Sequence, residues 1–220
     1  MTAGEIISEN IYPVKPSDKI RLVLDRMQEY HIAQLPVVKN NQLLGLLNEV
    51  DLISLNPEED KVKSVSYDHE LTFAYDNQHI YDVIRIFDIH QLDVLPVITE
   101  KHCYVGAITL RDVINNMTLL TGSSESGGII VLEVNNRDNA LSHIAQIVES
   151  DNGQIMSSYV HSFPDSTRME ITIKLNRTDI SSIVASFLRY DYIVKATYND
   201  VKIHDSSQDR YDQLMNYLDM

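Results

Sequence analysis

IAQLPVVKNNQLLGLLNEVDLI, residues Ile32–Ile53, and LDVLPVITEKHCYVGAITLRDVI, residues Leu92–Ile114, follow one pattern. Each runs as an apolar strand through a Leu-Pro pair, a polar turn, a second strand through a glycine, and an aspartate entering a helix, so one unit occurs twice. The correspondence extends upstream. Ile20, Val23, Leu24 and Met27 fall at i, i+3, i+4, i+7, and Ile80, Val83, Ile84 and Phe87 repeat that helical face sixty positions later. Leu35 and Pro36 match Leu95 and Pro96 at an offset of sixty, whereas Gly45 and Asp51 match Gly106 and Asp112 at sixty-one. One residue has been inserted in the turn, where added length costs least.

Each copy therefore predicts strand, helix, two strands, helix. In the first, Thr2 to Ile7 reads as a lead-in strand, and Ser17 as the N-cap of a helix from Lys19 to Tyr30. Strands are expected near Ile32 to Val38 and Leu43 to Leu47, and a closing helix from Asn48 or Glu49 stops before Pro57. The second copy offers a strand near Glu70 to Ala74, a helix Gln78 to Asp88 capped by Asp76 or Asn77, strands Asp93 to Ile98 and Tyr104 to Thr109, and a last helix. Such half-buried strands cannot close a core alone, so the copies are expected to pack through their sheets.

Downstream the pattern changes. TGSSESGG, Thr121 to Gly128, has the composition of a flexible linker. Beyond it, strand 129–134, helix 140–149, strands 154–161 and 169–175, helix 179–189 and strand 193–198 give the order βαββαβ of a ferredoxin-like unit. A tail, Ser206 to Met220, places Tyr211, Leu214, Met215 and Leu218 on one helical face suited to docking. The expected fold class is α+β / α/β, divided into repeat 1 (1–58), repeat 2 (59–120), linker (121–128), C-terminal domain (129–204) and tail (205–220).

Composition bounds the function. With 44% hydrophobic and 23% charged residues the chain is ordinary globular protein. It holds no run of about 18 apolar residues and no basic-then-apolar leader, which argues against membrane and secretion and for the cytoplasm. A net charge of −14, with no local run of Lys or Arg, argues against nucleic acid. Enzyme signatures are absent: no His-Glu-x-x-His, no Gly-x-Ser-x-Gly, no Walker lysine loop. Cys103, the single cysteine, reads as a packing or edge residue, and His69, His79, His90 and His102 lack metal-site spacing.

Chemistry concentrates where the second strands end. Thr109 and Asp112 stand where a helix begins, and free amides plus a hydroxyl there can hold an anion, while Asp112 could accept bonds from ribose hydroxyls and Arg111 could add a cation. Thr-x-x-Asp is equally close to a capping box that needs no ligand. The counterpart, Asn48 and Asp51, caps as well but has no hydroxyl.

These doubled motifs, LPVV or LPVI and Gly-x-h-(Thr/Asn)-x-x-Asp with matching helices ahead, resemble the cystathionine-β-synthase (CBS) domain pair, or Bateman module, over about residues 1 to 120. The resemblance implies a regulatory, non-catalytic protein with two clefts. These would take AMP, ADP, ATP or S-adenosylmethionine as a regulatory ligand, with no obligatory cofactor and no metal. It assigns Thr109, Arg111 and Asp112 to one cleft and Asn48 and Asp51 to the other, and adds Gln34, Leu35, Val94, Leu95 and Pro96 around the Leu-Pro strands as ligand-binding residues. Where phosphate-binding members have basic residues, this chain has Ala33 and Gln34, and Asp93 and Val94. Asp93 would repel a phosphate unless it turns away or binds a cation, which favours adenosine, AMP, a cationic adenosyl compound or an empty site. The C-terminal unit resembles an ACT-like domain, with Arg137 to Ala140 where amino-acid-binding members carry a glycine, and the combination is similar to acetoin-utilisation regulatory proteins. It implies a homodimer formed through the sheet. The alternative is a structural adaptor with vestigial clefts that binds a partner enzyme or transporter.

Overall fold

The computed structural model describes residues 1–65, 71–135, 141–164 and 166–198, and the chain divides into two units, Met1–Met117 and Thr118–Met220. The expected tail, the loop at Arg137 to Ala140 and Glu70 lie outside the described residues, and the strand expected from Glu70 to Ala74 is corrected to Ala74–Tyr75, with residues 71–73 outside any strand. Among the described residues no helix is long and apolar enough to cross a membrane.

The first unit holds both copies. In copy one, helix α1 (Ile20–Tyr30) buries Ile20, Val23 and Met27, and strands β1 (Gln34–Lys39) and β2 (Gln42–Asn48) pair antiparallel. Copy two has strand β3 (Ala74–Tyr75), helix α2 (Ile80–His90), strands β4 (Val94–Ile98) and β5 (Tyr104–Thr109), and helix α3 (Leu110–Leu120). Strand β3 lies parallel to β4, and its counterpart in copy one is a single parallel bridge from Val14 to Val37. The inserted residue lies in the turn. Asn40 and Asn41, both left-handed, make a two-residue hairpin loop, whereas copy two turns through Glu100, Lys101 and a left-handed His102. The copies share a core, with Val94 and Ala107 packed among the buried residues of copy one and Leu46 packed against those of copy two.

Four further local expectations are corrected. Thr2 to Ile7 is not a strand but a 3₁₀ turn, Ala3–Ile6, because the Thr2 N–H donates to the Glu5 carboxylate (2.6 Å) and closes a capping box. This strap serves copy two: the N–H groups of Ala3 and Gly4 donate to the carbonyls of Gln78 and Asp76, both at 2.8 Å. Copy one is strapped in the same way by residues 61–64, where the N–H groups of Val62 and Lys63 donate to Asp18 and Pro16 (both 3.0 Å). Lys19, not Ser17, is the N-cap of α1, since Asp18 instead turns its carboxylate to the Lys15 N–H. Likewise His79, not Asp76 or Asn77, caps α2, its ring nitrogen accepting from the Tyr81 N–H. The helix expected after Asn48 is one 3₁₀ turn, Glu49–Leu52.

The second unit runs β6 (Ile129–Asn135), α4 (Leu141–Ser150), β7 (Ile155–Ser162), β8 (Arg168–Leu175), α5 (Ser181–Arg189) and β9 (Ile193–Tyr198), with strand order β7-β8-β6-β9, antiparallel throughout. Strand alternation buries Ile130, Leu132, Ile171 and Ile173 with Ile144, Val148, Ile183 and Phe187 of the helices, and leaves Ile129, Val131, Thr172 and Lys174 on the other face. The segment ahead of it is not all loose linker. Gly128 donates to Arg177 O and accepts from the Leu175 N–H, and a Cβ on Gly127 would stand 1.8 Å from the Leu175 carbonyl oxygen, so only glycine allows this approach.

Candidate functional site

Strands β2 and β5 both end at the same kind of junction, and their capping chemistry sets the site. At the second, the Asp112 carboxylate accepts from the Thr109 N–H (2.8 Å) and hydroxyl (2.5 Å), while the Asp112 N–H donates back to Thr109 Oγ1 (3.1 Å). That is a complete local box. At the first, among the described residues, Asp51 Oδ2 accepts only from the Asn48 side-chain amide (3.2 Å), and Asn48 Oδ1 accepts from Gln34 Nε2 (2.9 Å). Asp51 thus keeps more acceptor capacity for a ligand than Asp112 does.

Gln34 also joins the copies. Its Oε1 accepts from the Asp93 N–H (2.9 Å), and the Asp93 carboxylate accepts from the Ala33 N–H (3.3 Å). Asp93 is therefore directed at the backbone of the other copy.

Two grooves border these junctions. One, of about 290 Å³, is lined by Gln34, Leu46 and Asn48 of copy one and by Leu71, Thr72, His90 and Leu92 around copy two. The other, of about 380 Å³, is lined by Ile84, Phe87, Asp88, Gln91, Leu92, Asp93, Leu110 and Val113. Of the residues expected in the site, Gln34 and Asn48 line the first groove, and Asp51 is one hydrogen bond behind it. Thr109 and Asp112 sit beside Leu110 and Val113 without lining the second, and Arg111 is exposed. Leu35, Val94 and Leu95 are 0% exposed and Pro96 is buried, so they shape the grooves from behind as core. Sequence reasoning did not single out Leu46, Leu71, Thr72 or Leu92, nor His90 as a lining residue. Most of these belong to copy two and reach the groove only because the copies face each other, for which the sequence carried no local signal.

Among the described residues no group of three or more His, Cys, Asp or Glu could hold a metal ion, and Cys103 is exposed.

The family described as CBS domain matches residues 3–58 and 62–118. Among curated proteins, the chain is similar to the inosine-5'-monophosphate dehydrogenase of Methanocaldococcus jannaschii, 26% identical over 113 residues, which is 51% of this chain and 23% of that protein. It shares 27% identity over 165 residues with the dehydrogenase of the same name from Aquifex aeolicus, 72% of this chain and 33% of that one. The chain thus spans about a quarter to a third of the length of these relatives. Among solved structures, a CBS domain pair/ACT domain protein from Thermotoga maritima is similar with a TM-score of 0.48 and 25% identity, over 53% of this chain and 96% of that one.

Proposed function

This chain belongs to the CBS-domain family, and we propose that its first unit is a non-catalytic regulatory module that takes a small adenosine-containing ligand beside Asp51 and Asp112. The observation that carries this reading is the groove shared by the copies, with leucines to receive a base, Gln34 and Asn48 to bond its edge, and Asp51 behind them. Its volume lies just below the roughly 300–1,000 Å³ usual for small-molecule sites. With Asp93 nearby, that favours adenosine, AMP or S-adenosylmethionine over ADP or ATP. A ligand here touches both copies and favours one packing of the pair by no more than its difference in affinity between the two packings.

For the second unit, the order βαββαβ and the strand order β7-β8-β6-β9 support a ferredoxin-like, ACT-like domain. Its open sheet face, with Ile129, Val131, Tyr159 and Tyr198, suits pairing with a second copy in a cytoplasmic homodimer of the acetoin-utilisation type. A second reading, an adaptor for a partner enzyme or transporter, is favoured by the local box that already engages Asp112 Oδ2 twice. Thermal unfolding with AMP, S-adenosylmethionine and ATP, with sedimentation of the same samples, separates the two. A binder at about 100-fold excess over its Kd adds about 2.7 kcal/mol. We expect AMP or S-adenosylmethionine to raise the Tm of a dimer, and Asp51→Asn to reduce the shift. No shift with any of the three leaves the adaptor, and a monomer removes the sheet-face pairing.

A further inference from the structure

The end of copy one opposite Asp51 carries a different chemistry. A groove of about 630 Å³ there is lined by Lys15, Lys39, Lys61 and Lys63, four of the chain's nine lysines, together with Asn40, Asn41 and Tyr104. In the sequence these lysines are scattered, and the fold assembles them. The Val14 N–H donates to Pro36 O (2.9 Å) and the Val38 N–H to Val14 O (2.8 Å), which sets Lys15 beside the end of β1 and Lys39. The strap bonds of Val62 to Asp18 and Lys63 to Pro16 bring in Lys61 and Lys63. The Tyr104 N–H donates to Asn41 O (2.8 Å) and closes the far wall.

None of the four ammonium groups makes an ion pair among the described residues. The carboxylates at hand are already engaged: Asp18 accepts from the Lys15 N–H (2.9 Å) and Asp60 from the Asn56 N–H (2.8 Å). In a chain of net charge −14, four lysines that line one groove without an ion pair among the described residues make a local positive patch that an anion would complete. Burial pushes the Tyr104 phenol up, so it stays a neutral donor, and its hydroxyl is withdrawn from solvent with no hydrogen-bond partner among the described residues. The repeat supplies an internal control. By their places in the straps and strands, the copy-two counterparts of Lys15, Lys39, Lys61 and Lys63 are Tyr75, Thr99, Thr2 and Gly4. The charge is therefore a property of this groove and not a requirement of the shared fold.

We propose that this groove binds a small anion carrying two or more phosphate groups, held by Lys15, Lys39, Lys61 and Lys63. Lysines suit such a ligand as mobile point charges that follow a phosphate chain without fixing one geometry. The site stands apart from the adenosine reading, since the six-residue strand β1 separates the two ends by roughly 17 Å. Each can fail without the other.

Titration calorimetry with inorganic pyrophosphate on the full chain tests it, at low salt and at roughly 0.15 M, where the Debye length is about 8 Å. We expect saturable binding that weakens with salt. The double variants Lys61→Gln/Lys63→Gln and Lys15→Gln/Lys39→Gln should each weaken it by about tenfold or more, with Tm unchanged because all four side chains are exposed. Lys174→Gln, in the second unit, should bind as the unaltered chain does. No binding at low salt, double variants that bind normally, or an equal loss in Lys174→Gln would each overturn the site.

Discussion

The two copies agree through the helix, the Leu-Pro strand and the return strand, and part where the return strand ends. In copy two, Thr109 and Asp112 close a capping box and eleven helical residues follow, Leu110–Leu120. Copy one has Asn48 there, with no side-chain cap bond among the described residues, and forms one 3₁₀ turn, Glu49–Leu52. Pro57 adds to the difference, since it pushes Asn56 out of the helical region and blocks continuation, whereas no proline follows Asp112 before Pro164. The shared core thus dictates the strands, while local caps and breakers decide what comes after them. The same divergence leaves Asp51 less satisfied than Asp112, so the weaker structural junction is the one with more acceptor capacity to spare.

If the cores are equivalent, equal truncations should cost equally. Leu35 and Leu95 occupy matching positions and are both 0% exposed. Leu35→Ala and Leu95→Ala should each lower the stability of the first unit by about 2–5 kcal/mol through lost burial and a residual cavity. Denaturant unfolding of both variants measures this. A difference of more than about 2 kcal/mol between them would show that the copies do not share the load, and the two-copy description of the core would have to be abandoned.

The junctions should instead respond unequally. Asp112→Ala removes two accepted bonds from a closed box and should cost about 1–2 kcal/mol. Asp51→Ala removes one bond from a side-chain amide and should cost about 0.5 kcal/mol. Equal losses in chemical denaturation would mean that the contrast between the junctions has no energetic content.

How much of this was legible follows the same division. The offset of sixty and the inserted residue located the turns, and the coordinates place that residue in the second hairpin, between Ile98 and Tyr104. Apolar periodicity located both long helices because tertiary burial and local pattern agree there. It misread Thr2 to Ile7, where alternation coincided with a capping box, and it extended a helix through Glu49–Leu52. The groove residues Leu71, Thr72 and His90 had no local signature, since they matter only once the copies face each other. The four lysines were hidden for the same reason: strand pairing and a strap, not sequence neighbourhood, bring them together.

The smallest expected effect probes a feature the copies share. Helices α1 and α2 both end on a left-handed residue that is not glycine, His31 at φ 56° and Gln91 at φ 50°. A side chain there crowds the following carbonyl, at a cost of about 1 kcal/mol, part of which glycine recovers after its own loss of backbone freedom. Both side chains are exposed, so little packing is forfeited. His31→Gly should therefore stabilise the unit by about 0.5 kcal/mol, Gln91→Gly by less, and the pair additively, because the sites share no partner. Gln91 carries one complication, a bond from its side-chain amide to the Asp88 carbonyl (2.6 Å), which the glycine gives up. The gain at Gln91 should thus be the smaller of the two, and a larger gain there would mean that this bond holds the residue in strain.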